Sequence, residues 1–140
     1  MLAYEDRIIL FIDFLAFKEH IDRTASEPAF LQKVVDALQE LREISMEEEV
    51  FGSQQMTHFS DSVVLSYRIE ETSAVFWLLT QIELAVISMA GMGFLVRGAV
   101  TVGPVLHTKE LLLGPAMVAA YKLESEVARY PRVVVDPSVI

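Results

Sequence analysis

The chain has 140 residues, 53% of them hydrophobic, with no cysteine and a formal net charge of -9. That length suits one domain with a sizeable core, and the composition excludes a disordered chain, a disulfide framework, a thiolate nucleophile and a zinc–thiolate site. The acidic balance argues against a nucleic-acid backbone or an anionic membrane as main partner, and an acidic protein that handles a polyanion needs a divalent metal to mediate.

No basic segment precedes an apolar run at the N-terminus, so no signal peptide is read and the expected location is the cytoplasm. Ile8 to Ile12 is a continuous apolar run, too short for a helix and rich in β-formers. It predicts a strand covered on both faces. The strand ends in Asp13, a carboxylate that is costly there unless it is paired or binds a metal. Phe17 to Ile21 begins a helical segment, broken at Thr24-Ala25-Ser26-Glu27-Pro28. Ser26 suits an N-cap and Pro28 a first turn. Leu31, Val34, Val35, Leu38 and Leu41 then recur at helical spacing.

Glu47-Glu48-Glu49 reads as a solvated linker and Gly52 as a turn. Met56–Ser60 and Val63–Tyr67 predict a hairpin joined at Ser60-Asp61-Ser62. Glu70 to Met89 predicts the second long helix, ended by Gly91-Met92-Gly93. Ala74 to Val96 is of membrane-spanning length, but Glu83 near its middle is expensive in lipid, so a buried helix running into a strand is expected. The face around Phe76, Trp77 and Leu84 suits either the core or a dimer contact and is assigned to the core. In the third strand, Phe94 to Val105, alternation puts Arg97 with Leu95, Ala99 and Thr101, opposite Val96 and Val100. Gly114-Pro115 opens a last helix, Pro131 stops it, and Val133–Val135 is the final strand. The order is β, α, β, β, α, β, α, β. It predicts an α+β fold with a mainly antiparallel sheet, beginning like the ferredoxin-like split βαβ motif.

In that topology the first strand lies beside the hairpin, so Asp13 and Asp61 face each other. Alone, Asp61 is a turn residue of Ser-Asp-Ser. As a pair, the two carboxylates repel unless a cation sits between them. Magnesium or manganese suits such a site, with hard oxygen ligands, few protein contacts and phosphate oxygens filling the rest. His20 and His58 belong to no metal-spaced cluster and read as structural or exposed.

At this point the residues resemble a family. Phe11-Ile12-Asp13-Phe14-Leu15-Ala16-Phe17 resembles the first metal motif of class III nucleotidyl cyclases, and Phe59-Ser60-Asp61-Ser62-Val63-Val64 their second. Arg97 to Val105 resembles the strand after the second helix. Gly114 to Glu124 resembles the helix carrying the transition-state residues. Phe-Ser-Asp-Ser, Arg-Gly-Ala, Tyr-Lys-Leu-Glu-Ser and Tyr130-Pro131-Arg132 are most similar to the pyrimidine cyclases of bacterial anti-phage (Pycsar) systems. The resemblance implies a nucleoside triphosphate bound with two divalent metal ions on Asp13, Asp61 and the Phe14 carbonyl. It implies attack of the ribose 3′-hydroxyl on the α-phosphorus, loss of pyrophosphate, and a head-to-tail homodimer. It also places Phe17, Thr57, Arg97, Lys109 and Leu111 as substrate-binding residues.

The chain departs from the family at several positions. Adenylate cyclases carry lysine and aspartate, and guanylate cyclases typically glutamate and cysteine, where this chain has Thr57 and Leu111. Leucine cannot satisfy a purine amino group, which favours UTP or CTP. An asparagine–arginine pair four residues apart becomes Val118 and Lys122. Lysine still places a positive charge near the developing phosphorane, as a point donor and not a fork. Val118, Lys122, Ser125 and Arg129 share one helical face, and Ala116, Ala120, Leu123 and Val127 the other. Lys109 is a better phosphate ligand than His107. Arg97 is expected in a surface ion pair more than on a phosphate. The chain also stops before the family's usual last hairpin, so part of the sheet, pocket or dimer surface is expected to be missing. The alternative expectation is a degenerate cyclase fold that binds a nucleotide or a partner without turnover.

Overall fold

A computed structural model describes residues 2–46 and 53–139. Its elements are β1 (Glu5–Phe14), α1 (Phe17–Ser26), α2 (Pro28–Met46), β2 (Gln55–Phe59), β3 (Ser62–Arg68), α3 (Ala74–Gly91), β4 (Val96–His107), β5 (Leu112–Leu113), α4 (Pro115–Glu126), β6 (Val133–Val135) and a closing 3₁₀ turn, Pro137–Val139. The sheet order is β2-β3-β1-β4-β5, with β6 parallel to β4 and every other pair antiparallel. This is the expected α+β architecture.

β1 lies at the centre because it has something to bury on both faces. Ile8, Leu10, Ile12 and Phe14 pack with Val34, Ala37 and Leu41 of α2 and Leu78, Ala85 and Met89 of α3. Ile9 and Phe11 point the other way, into a smaller cluster with Val64, Val105, Ala116 and Ala120 under α4. The strand is therefore continuously apolar until it reaches Asp13. β4 runs close against it: a Cβ on Gly98 would lie 2.3 Å from the Phe11 carbonyl oxygen. The end of β4 then folds over the α4 face, so that His107 reaches Ser66 on β3 and Thr57 on β2.

Several boundaries differ from the sequence reading. Ser26 does not cap α2; its hydroxyl donates back to the Arg23 carbonyl and α2 begins at Pro28. α3 starts at Ala74, not Glu70, because β3 runs to Arg68 and the Glu71 amide closes a turn onto the Arg68 carbonyl. α4 ends at Glu126, well before Pro131. There the Val127 and Ala128 amides both return to the Leu123 carbonyl. β4 extends to His107, and β5 was not expected. The linker at 47–49 and the turn at Gly52 fall outside the described residues.

α3 is long and apolar enough to cross a membrane by length and composition. Here it packs on the sheet through Ala74, Leu78, Gln81, Ala85 and Met89. Trp77 is half-buried at the edge of the core, but Phe76 and Leu84 are exposed, at 63% and 41%. The assignment of that face to the core is corrected. A helix apolar nearly all round gives no polar stripe to mark its outer side.

Candidate active site

Asp13 stands opposite Ser62 of β3 and Arg97 of β4, so the three side chains leave the same face of the sheet, the one α4 covers. Asp61 follows Ser60, which holds a left-handed φ of 48°, in the tight β2–β3 turn. The Phe14 amide donates to the Asp61 carbonyl at 3.3 Å, which ties the end of β1 to the hairpin tip. The end of strand one and the tip of the hairpin therefore meet, as the topology predicted.

α4 contributes a residue that the sequence reading missed. Its buried positions are Ala116, Ala120 and Glu124, one every fourth residue, and Ala128 just beyond continues the stripe. Leu123 and Val127 had been expected on that side, but Val127 is exposed. Glu124 is 2% exposed, and its Oε1 lies 2.5 Å from Arg97 Nε. Arg97 Nε is also 3.4 Å from Asp13 Oδ1. The expected surface ion pair of Arg97 is thus a half-buried bridge between two carboxylates, of which only Glu124 is fully buried. The signal available in the sequence was a glutamate at i+8 in an alanine stripe.

Two carboxylates share the Arg97 guanidinium, and a third, Asp61, is near enough for its charge to act on both. Burial, and then the charge of Glu124, push the Asp13 carboxyl up to about 7, with Arg97 pulling the other way and Asp61 adding to the rise. Burial likewise raises Glu124 against the opposing pull of Arg97. Glu124 Oε1 is buried, with Arg97 Nε as its charged neighbour among the described residues. The chemistry of this donor set suits a divalent cation. Asp13, Asp61 and nearby backbone oxygens are hard donors of the kind magnesium or manganese takes, with remaining positions left to phosphate and water. No group of three metal-ligating His, Cys, Asp or Glu side chains gathers among the described residues, so such an ion would rest on few protein ligands.

A second polar cluster lies on the same face. Arg7 Nε donates to Ser66 Oγ at 2.8 Å, and Arg7 Nη2 to the Ser66 carbonyl at 3.1 Å and to the Ser53 carbonyl. Ser66 Oγ is 2.6 Å from His107 Nδ1, and His107 Nε2 is 2.7 Å from Thr57 Oγ1. His107, expected in the connection after the third strand, lies at the end of β4 and is buried. Burial and the charge of Arg7 hold its pKa at about 4.

The remaining expected residues spread around these clusters. Lys109 and Leu111 are exposed in the tight β4–β5 connection, where the Thr108 amide donates to the Leu111 carbonyl at 2.8 Å. Lys122 and Val118 are exposed on the outer side of α4, away from its buried stripe. Phe17 packs against Phe14, with ring centroids 6.1 Å apart, in the core on the other face of the sheet from Asp13. His20 packs edge-on to Phe94, with centroids 5.0 Å apart. His58 is half-buried, and its Nε2 makes no hydrogen bond among the described residues.

No family model and no curated protein matches the sequence. Solved structures do. An adenylyl cyclase, CyaB from P. aeruginosa, superposes with a TM-score of 0.64 at 15% identity, over 96% of this chain and 78% of that one. The fold is that of the adenylyl and guanylyl cyclase domains. A bacterial light-regulated adenylyl cyclase gives a TM-score of 0.63 at 18% identity, over 92% of this chain and 42% of that one. The guanylyl cyclase Cya2 gives 0.54 at 13% identity, over 89% and 72%.

Proposed function

We propose that the chain is a metal-dependent nucleotidyl cyclase that converts a nucleoside triphosphate, UTP or CTP, to its 3′,5′-cyclic monophosphate and pyrophosphate. The observation that carries this is the meeting of Asp13 and Asp61 at one end of the α4 face, on a cyclase fold. Two divalent ions, magnesium or manganese, held by Asp13, Asp61 and the Phe14 carbonyl would acidify the ribose 3′-hydroxyl and offset the triphosphate charge. The chain's own groups do the positioning. Arg97, clamped to Glu124, holds the Asp13 carboxylate toward β4. The 3′-oxygen attacks the α-phosphorus in line, and the bond to pyrophosphate breaks.

Thr57 and Leu111 support a pyrimidine base, since neither supplies the paired polar groups of the purine enzymes. The exposed α4 face of Val118, Tyr121 and Lys122 supports a head-to-tail homodimer in which Lys122 of one copy serves the site of the other. Lys109 is free to approach the triphosphate. A cytoplasmic second-messenger role in anti-phage defence follows from the resemblance of the motifs around Asp61 and Lys122. A second reading, nucleotide binding without turnover, draws on Val118, which cannot orient a ribose by hydrogen bonding.

Incubation with each triphosphate and manganese, followed by mass spectrometry, tests the proposal. A cyclic nucleotide that disappears in Asp13→Ala is expected. No product from any triphosphate, or a product that survives the substitution, overturns it. Tight triphosphate binding without product supports the second reading.

A further inference from the structure

α3 turns to solvent an apolar side that the cyclase reading does not use. Its inward stripe is Ala74, Leu78, Gln81, Ala85 and Met89. On the opposite side stand Phe76, Leu79, Glu83, Val86, Ile87 and Ala90, all exposed, with Phe76, Leu79 and Ile87 more than half so. Phe76, Glu83 and Ala90 recur every seventh residue, and Leu79 and Val86 fall three residues after the first two. That is the a/d repeat of a seam that packs against another helix. The seam from Phe76 to Ala90 is about 21 Å long. Soluble proteins seldom leave a continuous apolar stripe uncovered unless something binds it. The stripe lies behind Ile8, Leu10, Ile12 and Phe14, on the far side of the sheet from Asp13, so its occupant leaves the α4 face free.

Its charge selects the occupant. Glu83 is the only charged residue of α3, it holds the middle a position, and nothing pairs with it among the described residues. α3 has no lysine or arginine, so no pairing with α3 of a second copy offers Glu83 a cation. A pairing centred on the seam sets Glu83 against Glu83, and a shifted one sets it against apolar side chains. A lipid surface fits no better. A carboxylate in the middle of the buried face is costly there, the helix has no cation to meet the headgroups, and the net charge of -9 opposes an anionic membrane. We infer that the outer side of α3 is a docking face for an amphipathic helix of a partner protein, one that carries a lysine or arginine at the middle of its own apolar stripe to pair with Glu83. A polar group at a single a position fixes register and partner. The acidic surface of the chain speeds the encounter with such a basic segment.

Synthetic amphipathic peptides of three heptads test this. They carry leucine at the other a and d positions, a neutral outer face, and lysine, leucine or glutamate at the central a. Their binding to the full chain is read by fluorescence anisotropy at concentrations where the peptides are monomeric. No nucleotide is present, so a failure leaves the cyclase reading standing. The lysine peptide is expected to bind roughly tenfold tighter than the glutamate peptide, with the leucine peptide between them, and the spread should shrink in high salt. Glu83→Lys should invert the order of the lysine and glutamate peptides, and Glu83→Leu should remove it. Ile87→Asp should weaken all three by roughly tenfold. Melting curves check that these substitutions at exposed positions leave the fold intact. No binding of the lysine peptide, or an order that Glu83→Lys leaves unchanged, overturns the inference. A dimer that dissociates in Leu79→Asp makes a second copy the occupant and overturns it too. So does binding to phosphatidylcholine–phosphatidylglycerol vesicles that Phe76→Asp abolishes, which makes lipid the occupant.

Discussion

Arg97 on β4 and Glu124 on α4 form an ion pair of 2.5 Å across the face of the sheet, with the glutamate almost wholly buried. The pair fastens α4 to the strand beside Asp13. A broken buried pair leaves one charge without its partner, whereas an apolar replacement of both removes the burden. Glu124→Ala and Arg97→Met should each cost about 2–4 kcal/mol, somewhat below the value for a fully buried pair because Arg97 is partly solvated. The double variant should cost clearly less than the sum. Urea unfolding of the four proteins measures this, and strictly additive costs would show that the contact carries no coupling.

The same crowding predicts a stabilising loss of function at Asp13. Its carboxyl is pushed up to about 7, so the folded state keeps a proton that the unfolded chain releases near pH 4. Stability from that proton is present in acid and is lost as pH rises through about 7. Asp13→Asn removes the repulsion. It should raise the melting temperature at pH 8 by about 2–4 °C, equivalent to about 1 kcal/mol, and abolish turnover. Manganese should narrow the gap by stabilising only the wild type. Melting curves from pH 4 to 8, with and without manganese, test it; a variant less stable than wild type at pH 8 contradicts it.

How much of this was legible in the sequence depended on how local each signal was. β1, the hairpin around Asp61 and the pairing of its tip with Asp13 followed from apolar runs, a turn triplet and one topological rule. Their physics lies within a few residues. Glu124 was missed because its role is tertiary: only the packing of α4 on β4 shows that the fourth-residue stripe from Ala116 faces inward and meets Arg97. Leu123 and Val127 were the more apolar choice for that face, and hydrophobicity alone preferred them. The same limit applies to Phe76 and Leu84, on a helix with no polar side to orient it. The burial of His107 was not legible because its contact with Thr57 spans fifty residues of sequence.

Gly98 controls how closely β4 approaches β1. An added Cβ would meet the Phe11 carbonyl oxygen at 2.3 Å and the Ile12 side chain at 2.9 Å, and the first of these is backbone that cannot rotate away. Gly98→Ala should therefore cost about 3 kcal/mol by overpacking. Because Gly98 follows Arg97, surviving folded protein should also lose activity as Arg97 shifts from Asp13. Thermal unfolding and a cyclisation assay on the folded fraction measure the two effects. An unchanged melting temperature would show that the strands can part without cost.

His107 gives a pH signature of opposite sign to that of Asp13. Burial and Arg7 lower its pKa to about 4, while an unfolded histidine titrates near 6.5. Between those values the unfolded chain binds the extra proton, so stability is full above about pH 6.5 and is lost as pH falls toward about 4. The slope approaches 1.4 kcal/mol per pH unit in the middle of the window. Asp13 titrates partly in the same range, so the comparison belongs in an Asp13→Asn background, with His107→Gln as the non-titrating partner. Urea midpoints taken at half-unit steps from pH 4 to 7 should fall with acid in Asp13→Asn and fall much less in the double variant. Parallel curves would mean that the imidazole takes up its proton as readily in the folded protein as in the unfolded chain.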